Sequence, residues 1–186
     1  MCYIFTMSIL PREFYDRPTL TVAKELLGCK LCVKKENKTT SGIIVETEAY
    51  TQDDPACHAF NGPTPRAATL FKKPGTAYVY FIYGMYHCVN VVTEAEGTAG
   101  AVLIRALEPM PPLSNTNGPG KLCRELEITK DFNEKDLTDI KSNIWIEKFD
   151  IFFEQDIIAT TRIGIKKAID YPWRFYIKDN IHISKK

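Results

Sequence analysis

What this 186-residue sequence lacks narrows it first. It has no excess charge of one sign, because 24 Lys and Arg against 23 Asp and Glu leave a net charge of +1. That balance argues against a partner held by charge alone, nucleic acid included, so charge has to be read locally. No apolar run reaches the ~20 residues that a membrane-spanning helix needs, and no membrane partner is expected. Met1 to Leu10 is mildly apolar but has neither a basic start nor a small-residue cleavage pattern. It does not read as a secretory signal, and Met1 and Met7 are both candidate starts. Internal repeats and low-complexity tracts are missing too. The six cysteines (Cys2, Cys29, Cys32, Cys57, Cys88, Cys123), without a secretion signal, read as reduced thiols of an intracellular protein. Cys29 and Cys32 form a C-x-x-C, but on a strand they point to opposite faces, and no second pair follows at zinc-site spacing. No metal and no cofactor is expected.

What is present describes one globular domain over residues 1–186, with 45% hydrophobic and 25% charged residues. The expected class is α/β (α+β): a single mixed domain with a curved, mainly antiparallel β-sheet, flanking helices and a protruding β-hairpin. Pro11 to Gly28 reads as helix, with Leu20, Ala23, Leu26 and Leu27 as its buried face. Cys29 to Val33 reads as a short strand, Gly100 to Pro109 as a buried strand and Lys121 to Ile128 as a helix. Ile144 to Phe153 reads as a strand pair around Glu147 to Asp150. Ile157 to Ile165 follows as a final core strand or pair, and Arg174 to Ile177 closes the sheet. Thr76 to Thr93 carries the strongest signal: two runs rich in Tyr, Phe, Val and Ile, broken only by Gly84-Met85, predict a β-hairpin. A two-residue turn there sets Tyr83 opposite Tyr86, with Met85 beside them. Hairpin tips usually carry small polar residues, whereas Tyr83, Met85 and Tyr86 look like a wedge for something apolar and layered, stacked bases being one candidate. A tip folded back as mere core is the bland alternative.

Gly42 to Tyr50 is the second informative stretch. Alternation puts Ile44, Glu46, Glu48 and Tyr50 on one face, with the two glutamates ~7 Å apart. A solvent-facing edge explains one glutamate cheaply. Two beside Tyr50 point to a pocket where one carboxylate activates water and the other orients it. Arg105 interrupts a buried strand and must find a carboxylate or phosphate; Glu46 or Glu48 would serve, in a structural ion pair or in an active site. The segment Thr51 to Arg66 is irregular, and its His58 is a ligand, a proton carrier, a donor to a base, or simply a satisfied polar group. Lys121, at the start of its predicted helix, is placed to meet an anion such as a DNA phosphate.

Val45-Glu46-Thr47-Glu48-Ala49-Tyr50, the run from Pro74-Gly75-Thr76 through Tyr83-Gly84-Met85-Tyr86, Asn90, Leu103 to Pro109 and Gly118-Pro119-Gly120-Lys121-Leu122-Cys123 resemble the alkyladenine (3-methyladenine) DNA glycosylase family. The likeness runs from Phe14-Tyr15-Asp16-Arg17-Pro18 to Arg174-Phe175-Tyr176. It implies a monofunctional hydrolase that flips an alkylated or deaminated purine (3-methyladenine, 7-methylguanine, hypoxanthine type) out of damaged double-stranded DNA and cuts its N-glycosidic bond. By that resemblance Glu48 is the general base for the attacking water, and Arg105 and the Ile163 carbonyl help hold the water. Tyr50, His58 and Tyr80 line the base pocket, Asn90 shapes discrimination between purines, and Tyr83 enters the gap in the duplex. Base excision repair by a monomer follows, in the cytoplasm or nucleoid of a bacterium or the nucleus of a eukaryote. Two other classes stay open on the residues alone, a nucleoside hydrolase and a non-catalytic nucleic-acid-binding domain. Ideal pairing across Gly84-Met85 would put Tyr80 and Asn90 on opposite faces, while the family pattern uses both; a bulge or strong twist would reconcile them.

Overall fold

The fourteen residues of strand β2 (Lys38–Thr51) hold the molecule together, since three other strands pair with it. The computed structural model describes residues 8–149 and 156–185. Around β2 lie β1 (Lys30–Lys35), β3 (Ala77–Ile82), β4 (Tyr86–Val92), β5 (Gly100–Pro109), β6 (Ile144–Glu147), β7 (Ile157–Thr160) and β8 (Arg174–Ile177). They form one curled antiparallel sheet in the order β3-β4-β5-β2-β1-β6, with β8 pairing both β2 and β7. Along one edge β2 meets β5 over its length. Along the other it meets β1 through Ile43 and then β8 from Glu46 to Glu48. The change of partner coincides with a register shift against β5 around Glu46, a bulge that bends the strand. With short helices on this sheet, the class is α+β as expected.

Helices α1 (Arg12–Tyr15) and α2 (Thr19–Glu25) replace the one long helix read from Pro11 to Gly28. Pro18 separates them, because proline has no N–H to donate and pushes Arg17 out of helical backbone. The buried face is Val22, Ala23, Leu26 and Leu27, and Leu20 is only partly covered. Thr47 donates to the Ala23 carbonyl at 2.8 Å, so α2 covers the Thr47 face of β2 and leaves the Glu46, Glu48 and Tyr50 face to the site. Helix α3 (Pro119–Glu125) starts two residues earlier than read, with Pro119 in its first turn, where a missing N–H costs nothing.

Two further expectations change. Ile157 to Ile165 is not a core strand: β7 stops at Thr160 and is only half-buried, as suits an edge strand, and residues 161–168 form a loop. Of the strand pair read over Ile144 to Phe153, β6 is the first member; the part of that reading from Asp150 to Phe153 lies outside the described residues.

The hairpin forms where expected, but its loop has three residues. Ile82 pairs with Tyr86, Tyr80 with Cys88 and Tyr78 with Asn90, so Tyr83 does not face Tyr86. A one-residue change of register moves every side chain of one strand to the other face. Tyr80 and Asn90 therefore share a face, and no bulge is needed. Tyr83 and Gly84 both take left-handed backbone, with φ of 56° and 68°, and Met85 N–H donates to the Ile82 carbonyl at 3.3 Å. That conformation is easy for glycine and unusual for tyrosine. The Tyr83 ring is 77% exposed, so its packing does not offset the strain. Tyr86 is more covered, because α3 approaches it so closely that a Cβ on Gly120 would lie 2.8 Å from the Tyr86 ring.

Replacing the strained, exposed tyrosine, Tyr83→Gly, leaves folding stability unchanged or raises it by up to about 1 kcal/mol, the strain relieved being partly offset by added chain entropy. Urea denaturation reads this, and a loss above about 1 kcal/mol would mean that the ring packs into the fold.

Candidate active site

The bend in β2 brings two carboxylates onto one face beneath Arg105 of β5. Glu46 and Glu48 are both fully buried. The Arg105 guanidinium spans them, with Nε 3.2 Å from Glu46 Oε1 and Nη1 3.1 Å from Glu48 Oε1. Arg174 of β8 adds a second cation, 2.9 Å from Glu46 Oε1. Two carboxylates and two guanidinium groups leave the cluster neutral, which makes burial of four charges tolerable. Burial works against the Arg105 charge, but the Glu48 and Glu46 carboxylates outweigh it and move its pKa up.

The two glutamates differ in how fully they are used. Glu46 takes four contacts, from Arg105, Arg174, the Ser184 hydroxyl at 2.9 Å and the Ser184 N–H at 2.5 Å. Glu48 takes three: Arg105, the Ile163 N–H at 2.8 Å on Oε1, and the Tyr50 hydroxyl at 2.7 Å on Oε2. Each carboxylate oxygen offers about two lone-pair sites, so Glu48 keeps one on Oε2, whereas Glu46 crowds three donors onto Oε1 and holds the Ser184 N–H on Oε2.

In front of Glu48 lies a cavity of about 700 Å³. Glu48 does not itself form the wall, but all three of its partners do: Tyr50, Arg105 and Ile163. Half-buried Tyr50 and Tyr80 line it together with His58, Tyr78, Cys88 and Asn90. The His58 ring meets Tyr80 edge-on at 4.8 Å and holds the Tyr78 hydroxyl through Nδ1 at 2.9 Å. Burial, then the Arg66 guanidinium, lowers the His58 pKa to about 4. Solvent reaching this exposed residue opposes the shift, and the imidazole is mostly neutral at pH 7 with or without it. Burial raises the Tyr50 pKa, with Glu48 adding to it, and burial raises that of Tyr80 with Cys88 adding to it. Both phenols stay protonated. Asn90 is fixed by a 3.0 Å bond from its amide to the Tyr78 carbonyl.

Arg162 was not singled out from the sequence, yet it positions much of this wall. Its guanidinium is wholly buried against the Asp54 carboxylate, donates to the Ala49 carbonyl at 2.9 Å, and stacks 4.6 Å from the Tyr50 ring centroid and 5.2 Å from that of Trp173. Tyr50 lines the cavity and Arg162 does not, so the arginine braces the ring from the protein side. The argument that located Arg105, a permanent charge within an apolar run, applies equally to Arg162 in Thr161-Arg162-Ile163. No signal pointed to Asp54 or Ser184.

The other expected residues fall at the mouth. Tyr83, Tyr86 and Lys121 line the cavity, whereas Met85 lies beyond it on the loop, 64% exposed. Glu48, Arg105, Ile163, Tyr50, His58, Tyr80, Asn90, Tyr83, Tyr86 and Lys121 thus come together around one space.

The profile of the methylpurine-DNA glycosylase family matches residues 13–181. A chain from Carboxydothermus hydrogenoformans, provisionally named 3-methyladenine DNA glycosylase, is 48% identical over 191 residues, covering 96% of this chain and 100% of the relative. One with the same provisional name from Wolbachia pipientis of Culex pipiens is 52% identical over 170 residues, covering 90% and 89%. Another from Methanoculleus marisnigri is 46% identical over 191 residues, covering 95% and 99%.

The unequal use of the two glutamates is measurable in stability. Glu46→Gln leaves Arg174 and one arm of Arg105 buried without a counter-charge and costs about 3 kcal/mol or more. Glu48→Gln leaves Arg105 its Glu46 partner and costs less. Chemical denaturation of both variants checks the order, and equal losses would contradict it.

Proposed function

The chain belongs to the methylpurine-DNA glycosylase family, and on that footing we propose that Glu48 activates the water by which it removes an alkylated or deaminated purine from duplex DNA. The coarse activity, a hydrolytic DNA glycosylase of the 3-methyladenine type, goes with the family, and damaged DNA is its substrate. A non-catalytic binding domain falls away with it. The reaction proposed here has the damaged nucleotide leaving the helix, since a lesion unstacks at lower cost than an intact base. The base enters the slot between Tyr50 and Tyr80, with His58 and Asn90 at its edge, and Tyr83 fills the space it leaves in the duplex.

The observation that carries this reading is where the carboxylates stand: all three partners of Glu48 line the cavity and its Oε2 keeps an acceptor site behind that wall, whereas Arg174 and Ser184, which hold Glu46, do not line it. A water there gives a proton to Glu48 as its oxygen attacks C1′, and the C1′–N bond breaks with the electron pair leaving on the purine. A cationic alkylpurine departs neutral, so placing the water and stabilising the cationic sugar are the main demands. Arg105 and the Ile163 N–H orient Glu48, and the Ile163 carbonyl accepts from the same water. Lys121, Lys166 and Lys167 line the cavity but are all exposed, and hydrolysis without strand cleavage is the expected course. The proposal includes one glycosylase domain over residues 1–186, acting as a monomer inside the cell.

Glu48→Gln abolishes release of methylated purines from alkylated duplex DNA, by about a hundredfold or more, while binding to that duplex survives. Single-turnover base release and a gel-shift titration read the two effects. Excision at the wild-type rate by this variant would refute the assignment.

A further inference from the structure

Among the described residues, every charged side chain lining the cavity is a cation: Arg105, Lys121, Arg124, Lys166 and Lys167, with no Asp or Glu among them. In a chain whose net charge is only +1, this is a concentration of one sign at one place. Lys121 and Arg124 project from α3, and Lys166 and Lys167 from the loop 161–168. All four are exposed. Lys121 donates to Asn117 at 2.8 Å, and none of the four forms an ion pair among the described residues. Asp170, the acid nearest in sequence to the lysine pair, does not line the cavity.

The lysine pair rides on a loop pinned at both ends. The Ile163 N–H is bonded to Glu48, and the Arg162 guanidinium, held by Asp54 and the Ala49 carbonyl, also reaches the Ala168 carbonyl at 3.5 Å. The backbone carrying Lys166 and Lys167 is therefore tied to the carboxylate that works on the sugar. An extruded nucleotide brings its own two phosphates to this mouth, and exposed cations with no carboxylate paired to them among the described residues are complementary to them.

We propose that Lys166 and Lys167, which line the same cavity as Lys121 and Arg124, clamp the phosphates flanking the extruded nucleotide on the damaged strand. This rests on the glycosylase reading and adds to it where affinity comes from. The clamp is filled only when a nucleotide occupies the cavity, so it acts on lesion-bound DNA more than on intact duplex. A chain without a broadly basic surface then holds damaged DNA without binding strongly everywhere else.

The test is a titration of a duplex carrying one tetrahydrofuran abasic analogue, and of the unmodified duplex, at several salt concentrations between 50 and 200 mM. Lys166→Ala/Lys167→Ala is compared with wild type and with Lys34→Ala/Lys38→Ala, which removes the same charge from exposed positions in the β1–β2 hairpin. Each lost phosphate contact lowers the slope of log K against log salt by about 0.9. The expected result is a slope smaller by about 2 and lesion affinity lower by about tenfold for the loop variant. The loss should be smaller on unmodified duplex, and Lys166→Arg/Lys167→Arg should restore the slope. An unchanged slope, or an equal loss in the Lys34/Lys38 variant, overturns the clamp. Base release from alkylated duplex by the wild type is measured alongside: its absence overturns the glycosylase reading, whereas release with an unchanged slope overturns the clamp alone.

Discussion

One guanidinium bridging two buried carboxylates is the constraint on which the site depends. Glu46 and Glu48 stand two residues apart on one face of β2, and two like charges repel strongly in a dry interior. Arg105, between Nε–Glu46 at 3.2 Å and Nη1–Glu48 at 3.1 Å, removes that repulsion and fixes both orientations. Arg174 supplies the second positive charge, so the cluster is neutral. The division of labour follows from the partners. Glu46 ties β2 to β8 and to Ser184, while Glu48, tied to Tyr50 and Ile163, faces the groups that line the cavity. Structural ion pair and active site were alternatives at the level of sequence. In the folded chain Arg105 makes the ion pairs and also lines the cavity.

The surroundings make that carboxylate usable. The three-residue loop turns Tyr80 and Asn90 to one side of the hairpin, and Tyr50 near the end of β2 lines the same cavity. Arg162 presses on the back of Tyr50 and, through its hold on Ala168, sets the loop that carries Ile163 and the lysine pair. At the far end Tyr83 keeps a left-handed backbone with its ring in solvent, and strain of this kind is retained where a side chain is needed outside the fold. Proposed chemistry, base slot and wedge are thus carried by rigid strands, with only the strand ends and one braced loop contributing directly.

Much of this was legible because the signals are strong and local. Period-two alternation placed Glu46, Glu48 and Tyr50 together, and β5 runs from Gly100 to Pro109 as read. The hairpin was evident from its two apolar runs, but its register was not: turn preference favours two central residues at Gly84-Met85, and the chain places Tyr83 in left-handed backbone instead. Pro18 carries the signal for the break between α1 and α2, since it cannot continue the hydrogen bonding of the helix before it. Residues 157–165 read as core because they are apolar, whereas an edge strand and a loop fastened by Arg162 use the same residues differently. Ser184 and Asp54 could not be found at all, since they meet Glu46 and Arg162 across more than a hundred positions of chain.

The most direct measurement of the central claim is the single-turnover rate of purine release from alkylated duplex DNA by Arg105→Lys. Lysine keeps the positive charge but has a single ammonium in place of a two-armed fork, so it cannot hold Glu46 and Glu48 at once in the same geometry. The account predicts a folded protein that still binds the duplex but releases base about a hundredfold more slowly, the cost of a misplaced catalytic group. Release within a few-fold of the wild-type rate would contradict it, because charge alone, without the bridge between the two carboxylates, would then be sufficient.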